Sequence, residues 1–137
     1  MISIFTDSKN QEVARLEGRR TLADLPVSGD YSVTFVLTAD DVRAEASRRM
    51  QALVGARDAE HLAIIVANGS REAIRLLKIR VDREWTAAEQ VRADELDALE
   101  TAIEAIRKAS NILEPAPPED YADDRWWPAL SLLSTFP

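Results

Sequence analysis

The pattern of apolar and polar positions changes character near residue 38. Before it, two short runs, at residues 2–5 and 31–37, are rich in β-branched and aromatic side chains, and the turn-forming sequence VSGD precedes the second run. Apolar runs bounded by turn residues are typical of strands. The sequence between them, EVARLEGRRTL, is ambiguous and is compatible with a third short strand. Residues 1–37 are therefore predicted to form a small antiparallel β element.

After residue 38, apolar side chains recur every three or four positions, as they do on one face of a helix. Thr38 is a suitable N-cap, and the two aspartates that follow place negative charge in the first turn, where the helix dipole favours it. Gly55 suits the position after a helix, where the backbone is often left-handed. These signals predict a helix over about residues 39–54.

Residues 58–82 are compatible with two different structures. The Asn68-Gly69 pair and the alternating sequence LKIRVD favour a β-hairpin. The helical alternative has two suitable N-caps, Asp58 and Ser70. It also has an apolar stripe at helical spacing, formed by Ala73, Ile74, Leu77 and Val81. We favour two helices that are separated or kinked at Gly69.

The clearest helix signal covers Thr86 to Leu113. Thr86 and Glu89 have the spacing of a capping box. Six positions then form a seam with steps of three and four residues: Leu96, Leu99, Ile103, Ile106, Ser110 and Leu113. Such a seam packs either on the protein's own helices or against another chain. Both alternatives stay open here, and the candidate partner-binding residues on this helix are Leu99, Ile103 and Ile106.

The last part of the chain combines prolines, acids and aromatic side chains. Residues 114–124 contain three prolines and are predicted to form an extended, polyproline-like spacer. The spacer leads to an apolar tail, whose candidate partner-binding residues are Trp126, Trp127, Pro128 and Leu130. Aromatic rings bury large areas, so the tail is expected to dock, either on its own domain or on a partner. The predicted organisation is a compact domain over residues 1–113 (β element 1–37, helical part 38–113) and a linker with a docking tail over 114–137.

Composition narrows the classes of function. The chain of 137 residues has no cysteine, which excludes disulfides and thiolate metal sites, and its net charge of −7 comes from the acidic part after residue 81. No secretory signal and no membrane-spanning run is visible, so a cytoplasmic protein without membrane contact is expected. The basic positions lack interleaved aromatic side chains, which argues against nucleic-acid binding.

Candidate chemistry is sparse. The motifs of serine hydrolases, zinc peptidases and nucleotide-binding loops are absent from the sequence. The single histidine, His61, begins an apolar run and is interpreted as structural. Four acids are clustered near the C-terminus: Glu119, Asp120, Asp123 and Asp124. They lack the spacing of a calcium-binding loop and are interpreted as a charged linker. No catalytic residue, cofactor or metal ligand is predicted.

The second half of the chain resembles a known family in the order of its motifs. It contains REWTAAEQ (residues 83–90), AIEAIRKASN (102–111), an acidic link with prolines, and WWP (126–128). This order resembles the C-terminal regions of small phage and prophage tail-assembly accessory proteins. The matching positions are Trp85, Thr86, Arg107, Pro118, Trp127 and Pro128. The resemblance implies a non-enzymatic helper or minor component of a phage tail that binds a tail or fibre protein.

The sequence therefore predicts an α-rich α+β fold and a function in protein–protein interaction. The partner would be another protein, such as a tail or fibre protein, or a second copy of the chain, in the bacterial host cytoplasm or in the virion. Two alternatives from other classes stay open. One is an acidic inhibitor that mimics nucleic acid, and the other is a hydrolase that uses the carboxylates of residues 119–124.

Overall fold

The computed structural model describes residues 1–26 and 28–129. Across these residues, a small antiparallel sheet precedes three long helices, which confirms the predicted α-rich α+β class. The strands are β1 (Ile2–Thr6), β2 (Glu12–Glu17) and β3 (Ser32–Val36). The helices are α1 (Ala39–Val54), α2 (Ala59–Asp82) and α3 (Ala87–Leu113), and short 3₁₀ helices span Leu22–Asp24 and Asp124–Trp126. The segment that the sequence left ambiguous forms β2.

The sheet has the strand order β2-β1-β3, with the first strand in the centre. Ile2 pairs with Glu17 on one side and with Val36 on the other, and both pairings are antiparallel. Alternation along β1 places Ser3 and Phe5 on one face, and both are fully buried. One face of the central strand is therefore buried, with Phe5 as its large apolar side chain.

The start of α1 connects the sheet to the helices. Thr38 is the N-cap, as predicted, and its N–H donates to the Asp41 carboxylate at 2.8 Å. The amino group of Met1, at the start of β1, pairs with the same carboxylate. Gly55 ends the helix with φ of 68°, a left-handed conformation that is unstrained for glycine. The predicted bounds of this helix, 39–54, are confirmed.

Helix α2 is continuous from Ala59 to Asp82, so the predicted separation into two helices at Gly69 and the alternative hairpin are both wrong. Asp58 is the N-cap, as predicted, and accepts a backbone N–H at 2.7 Å. Ser70 starts no second helix; its hydroxyl donates to a backbone carbonyl one turn earlier. Gly69 lies where α2 comes close to α3, because a Cβ there would lie 3.5 Å from Leu96 Cδ2. Packing of a long helix outweighs the cost of one interior glycine, which is about 1 kcal/mol.

Helix α3 organises the helical core. The predicted capping box is present: the Thr86 N–H donates to Glu89 Oε2 at 2.8 Å, and the Glu89 N–H donates to Thr86 Oγ1 at 3.2 Å. All six positions of the predicted seam are buried. The seam therefore packs on the protein's own helices.

Helices α1 and α2 cover different parts of α3. Near the C-terminal end of α3, Val42 of α1 packs in a cluster with Ile106. In the middle of α3, the start of α2 contributes Leu62 to a second cluster around Leu99. Closer to the N-terminus of α3, the neighbouring helix is α2, which runs in the opposite direction. The two shorter helices thus follow each other along the long one, and α2 and α3 form a helical hairpin at one end of the protein.

Residues 114–129 pass through turns, which corrects the prediction of an extended spacer. Backbone hydrogen bonds close successive turns, from Tyr121 to Pro118 and from Asp123 to Asp120, before the 3₁₀ helix. Trp127 then enters the core cluster of α1 and α3 with 5% of its surface exposed. Of the two predicted ways for the tail to dock, the structure shows docking on the protein's own domain as far as residue 129, because the Trp127 ring fills space between α1 and α3.

Candidate interaction surface

Helix α2 carries a second apolar face in addition to the one that packs on α3. Six positions, four and three residues apart in turn, form this outer seam: Ala63, Ala67, Ser70, Ile74, Leu77 and Val81. All six are exposed, and Ile74, Leu77 and Val81 leave 54%, 57% and 85% of their surface open to solvent. The spacing is that of a coiled-coil seam, in which a second helix covers the apolar stripe.

The outer seam exposes a substantial apolar area. From their exposed fractions, Ile74, Leu77 and Val81 together expose on the order of 300–400 Å², within the range of the largest apolar patch on a typical monomer. Patches of this size commonly mark interaction sites. The outer seam is therefore the first candidate for a functional surface.

A groove of about 510 Å³ runs beside the outer seam, between α2 and α3. Its floor consists of buried side chains from both helices, including Leu76, Leu96 and Ile103. Its α2 wall contains small and apolar residues and includes Leu77, which also belongs to the outer seam. The groove and the outer seam therefore form one continuous surface.

Trp85 closes one end of the groove. Its indole N–H donates to the Leu76 carbonyl at 2.7 Å, which fixes the ring between the end of α2 and the start of α3. The Arg80 guanidinium lies 4.8 Å from the ring centroid, within the range of a cation–π contact. Arg107 lines the groove at its other end.

An ion pair holds α2 on α3 at the level of the groove. The Arg92 guanidinium donates to both carboxylate oxygens of Glu72, at 2.8 and 2.9 Å. These hydrogen bonds hold the pKa of Glu72 below its usual value of 4.5. The groove walls are therefore fixed by a charged contact as well as by the apolar floor.

Charge is distributed unevenly around the outer seam. On the groove side, α3 carries an acidic row made of Asp94, Asp97, Glu100 and Glu104. On the opposite side of the seam, helical periodicity places a basic row made of Arg71, Arg75 and Lys78, with Asp82 as an acid at its end. The surface thus has an apolar centre, one acidic edge and one basic edge.

Most of the residues predicted to bind a partner lie in the core. Leu99, Ile103, Ile106 and Trp127 are only 2–5% exposed, because α1, α2 and α3 cover them. The prediction that they form a partner-binding surface is therefore corrected. Leu99 and Ile103 reach the groove only as part of its buried floor.

The remaining predicted residues lie near the end of the described chain. Trp126 is exposed, and its indole N–H donates to Asp120 at 2.9 Å while the Arg125 guanidinium lies 4.9 Å from its ring. Pro128 is half-buried beside α1. Leu130 lies outside the described residues. Trp127 and Pro128 pack against α1, whereas the outer seam lies on α2, so these two residues are not part of the candidate surface.

The sequence pattern contains part of the signal for the outer seam. The predicted apolar stripe ends in Ile74, Leu77 and Val81, but the predicted break at Gly69 separates that stripe from Ala63 and Ala67. Read as one helix, residues 59–82 show two apolar stripes, of which only one can face α3.

Three of the four acids in residues 119–124 form ion pairs or hydrogen bonds with arginines, two with Arg125 and one with α1. Asp120 pairs with Arg125, Asp123 accepts the Arg125 N–H at 2.9 Å, and Asp124 pairs with Arg49 at 2.8 Å. Across residues 1–26 and 28–129, no group of three histidine or acidic side chains is placed to hold a metal ion. Within the same part of the chain, no helix has the length and apolar character needed to cross a membrane.

No family model, curated protein or solved structure matches this chain. Its function is therefore inferred from the surface formed by α2 and α3.

Proposed function

We propose that this protein is a non-enzymatic protein-binding protein whose docking surface is the outer seam of α2 together with the adjoining groove. The observation that carries the proposal is the exposure of Ile74, Leu77 and Val81 on a helix whose other face is packed. Large apolar side chains in register on one helix face are typical of coiled-coil and helix-in-groove recognition. In such recognition, another protein chain packs on the apolar face and removes it from solvent.

We place this binding in phage or prophage tail assembly, because residues 83–128 resemble the accessory proteins of that process. Trp85 and Arg107, two of the positions that carry the resemblance, line the groove, and Thr86 caps the helix between them. The protein would then act in the host cytoplasm or as a minor component of the virion, as a binding protein for tail or fibre assembly.

The surface favours a protein partner over the two alternative functions. A mimic of nucleic acid needs carboxylates in rows that follow a duplex, whereas the acidic row of α3 borders an apolar seam and a basic row. A hydrolase needs carboxylates that face a cleft, whereas Asp120 and Asp124 are ion-paired with arginines.

Photo-crosslinking in the native cells tests the docking surface. A photoreactive amino acid at Leu77 or Ile74 of the full chain is expected to form adducts with an identified protein. Asn68, an exposed position of α2 outside the outer seam, is the matched control and is expected to give none. No adduct at Leu77, or equal adducts at Asn68, would contradict the proposal. An adduct with a phage tail or fibre protein would support the tail-assembly setting.

A further inference from the structure

We infer that the chain covering the outer seam is a second copy of this protein, paired so that the two α2 helices run parallel. The α2–α3 hairpins of both copies then complete a four-helix bundle. This inference rests on the proposed function and names its partner. It is drawn from the spacing of the outer seam, from its size, and from the two charged rows beside it.

The outer seam has the dimensions of a dimer contact. From residue 63 to residue 81 it is about 27 Å long at the rise of an α-helix, and the hairpin is about 20 Å wide. The face therefore covers on the order of 550 Å² in projection and more as accessible surface, close to the roughly 800 Å² per partner of a standard interface. The small residues Ala63, Ala67 and Ser70 would let the two helices approach closely at one end, while the larger side chains interlock at the other.

Charge complementarity selects a second copy and its orientation. A two-fold axis parallel to α2 places the basic row of each copy opposite the acidic row of the other. An antiparallel pairing would instead place basic row against basic row. Because Gly69 lies level with Leu96 and the helices run in opposite directions, Arg71 lies level with Asp94. The parallel pair therefore brings Arg71 of one copy to the acidic row of the other.

Light scattering on the full chain over a wide concentration range tests the dimer. The expected mass is twice the chain mass of 15.3 kDa. Leu77→Glu is expected to give a monomer with unchanged helicity. Val91→Glu is the matched control, because Val91 is equally exposed, at 58%, and lies outside the groove and the outer seam. It is expected to remain a dimer. A wild-type monomer at all concentrations, or a dimer that survives Leu77→Glu, would overturn the inference.

Cysteine crosslinking tests the orientation, since the natural chain has no cysteine. Parallel pairing places Val81 of one copy beside Val81 of the other, so Val81→Cys alone is expected to form a disulfide-linked dimer on oxidation. Val91→Cys is expected to stay unlinked. A disulfide that forms only between Val81→Cys and Ala63→Cys would show antiparallel pairing and overturn the charge argument.

A charge reversal separates the contribution of the charged rows from that of the apolar seam. Arg71→Glu is expected to weaken the dimer on the order of tenfold or more, because it opposes like charges across the contact. Adding Asp94→Arg to the same chain is expected to restore most of the affinity, whereas a structural defect would not be restored. If the chain is a monomer but Leu77 crosslinks to a different protein in cells, this inference fails and the proposed function stands. If the chain is a monomer and Leu77 forms no adduct in cells, the dimer inference and the proposed function are both wrong.

Discussion

Trp127 gives the most direct test of how the C-terminal segment is held. Its ring packs in the cluster that contains Val42 and Ile106, and its indole N–H donates to the Tyr121 carbonyl at 2.7 Å. The Arg49 guanidinium lies 5.1 Å from the ring. Trp127→Ala removes all of these contacts at once and leaves a cavity between α1 and α3.

The expected loss of stability is large. A buried tryptophan covers about 200 Å², which corresponds to about 5 kcal/mol at 25 cal/mol per Å². Measured substitutions of buried aromatic residues by alanine cost about 3–5 kcal/mol. For a domain of this length, each kcal/mol lowers Tm by roughly 3–4 °C. Trp127→Ala is therefore expected to lower Tm by about 10–15 °C.

The neighbouring tryptophan provides the control. Trp126 is 38% exposed, and its contacts with Asp120 and Arg125 lie at the surface. Trp126→Ala is expected to cost less than about 1 kcal/mol. Thermal unfolding of both variants, followed by far-ultraviolet circular dichroism, measures the difference. If Trp127→Ala unfolds at the same temperature as Trp126→Ala, the ring does not belong to the core and the reasoning is refuted.

Substitutions at three further positions test the helices, each measured as the free energy of unfolding. Gly69→Ala is expected to stabilise by about 0.5–1 kcal/mol, since its methyl group would meet Leu96 at an ordinary contact distance of 3.5 Å; Gly69→Leu is expected to destabilise. Thr86→Ala is expected to cost about 1 kcal/mol through loss of the N-cap of α3. Glu45→Gln is expected to destabilise at neutral pH, because the buried carboxylate accepts hydrogen bonds at 2.6–2.7 Å from two arginines of α1. These bonds hold the pKa of Glu45 below its usual 4.5, so this stability is present above that pH and is lost on acidification. The difference in free energy of unfolding between wild type and Glu45→Gln should therefore become smaller as the pH falls below 4.5.

Each of these expectations has a clear contrary result. A destabilising Gly69→Ala would mean that α2 and α3 are closer than the structure places them. If Thr86→Ala leaves the free energy of unfolding unchanged, other contacts alone hold the start of α3. A difference between wild type and Glu45→Gln that stays constant from neutral to acidic pH would show that the charge of Glu45 has no part in stability.

The helices with local signals at both ends could be predicted from the sequence. Thr38 with Gly55 bounds α1, and Thr86 with its capping partner starts α3, because caps and stops act on neighbouring backbone groups. In α2 a local signal was misleading. The Asn68-Gly69 pair is typical of a hairpin, but contact with α3 at Leu96 favours an uninterrupted helix, and no local rule contains that contact.

The candidate surface could be predicted less well than the helices. The spacing of apolar residues shows that a helix has an apolar stripe, but it does not show whether another part of the protein covers that stripe. The seam of α3 and the outer seam of α2 have the same three-and-four spacing, yet one is buried and the other is exposed. The two adjacent tryptophans pose the same problem. Trp126 and Trp127 have the same side chain, and only the turns that follow α3 decide which ring faces the core.

The succession of α1 and α2 along α3 has a consequence for how this protein can change. The cluster around Trp127 lies at one pole of the long helix, and the exposed stripe ending at Val81 lies at the other. Because the two poles share no side chains, residues at the exposed pole are free to diverge while the other pole keeps the chain folded. If the exposed stripe binds a partner as proposed, a few surface substitutions there would change which partner binds without altering the fold.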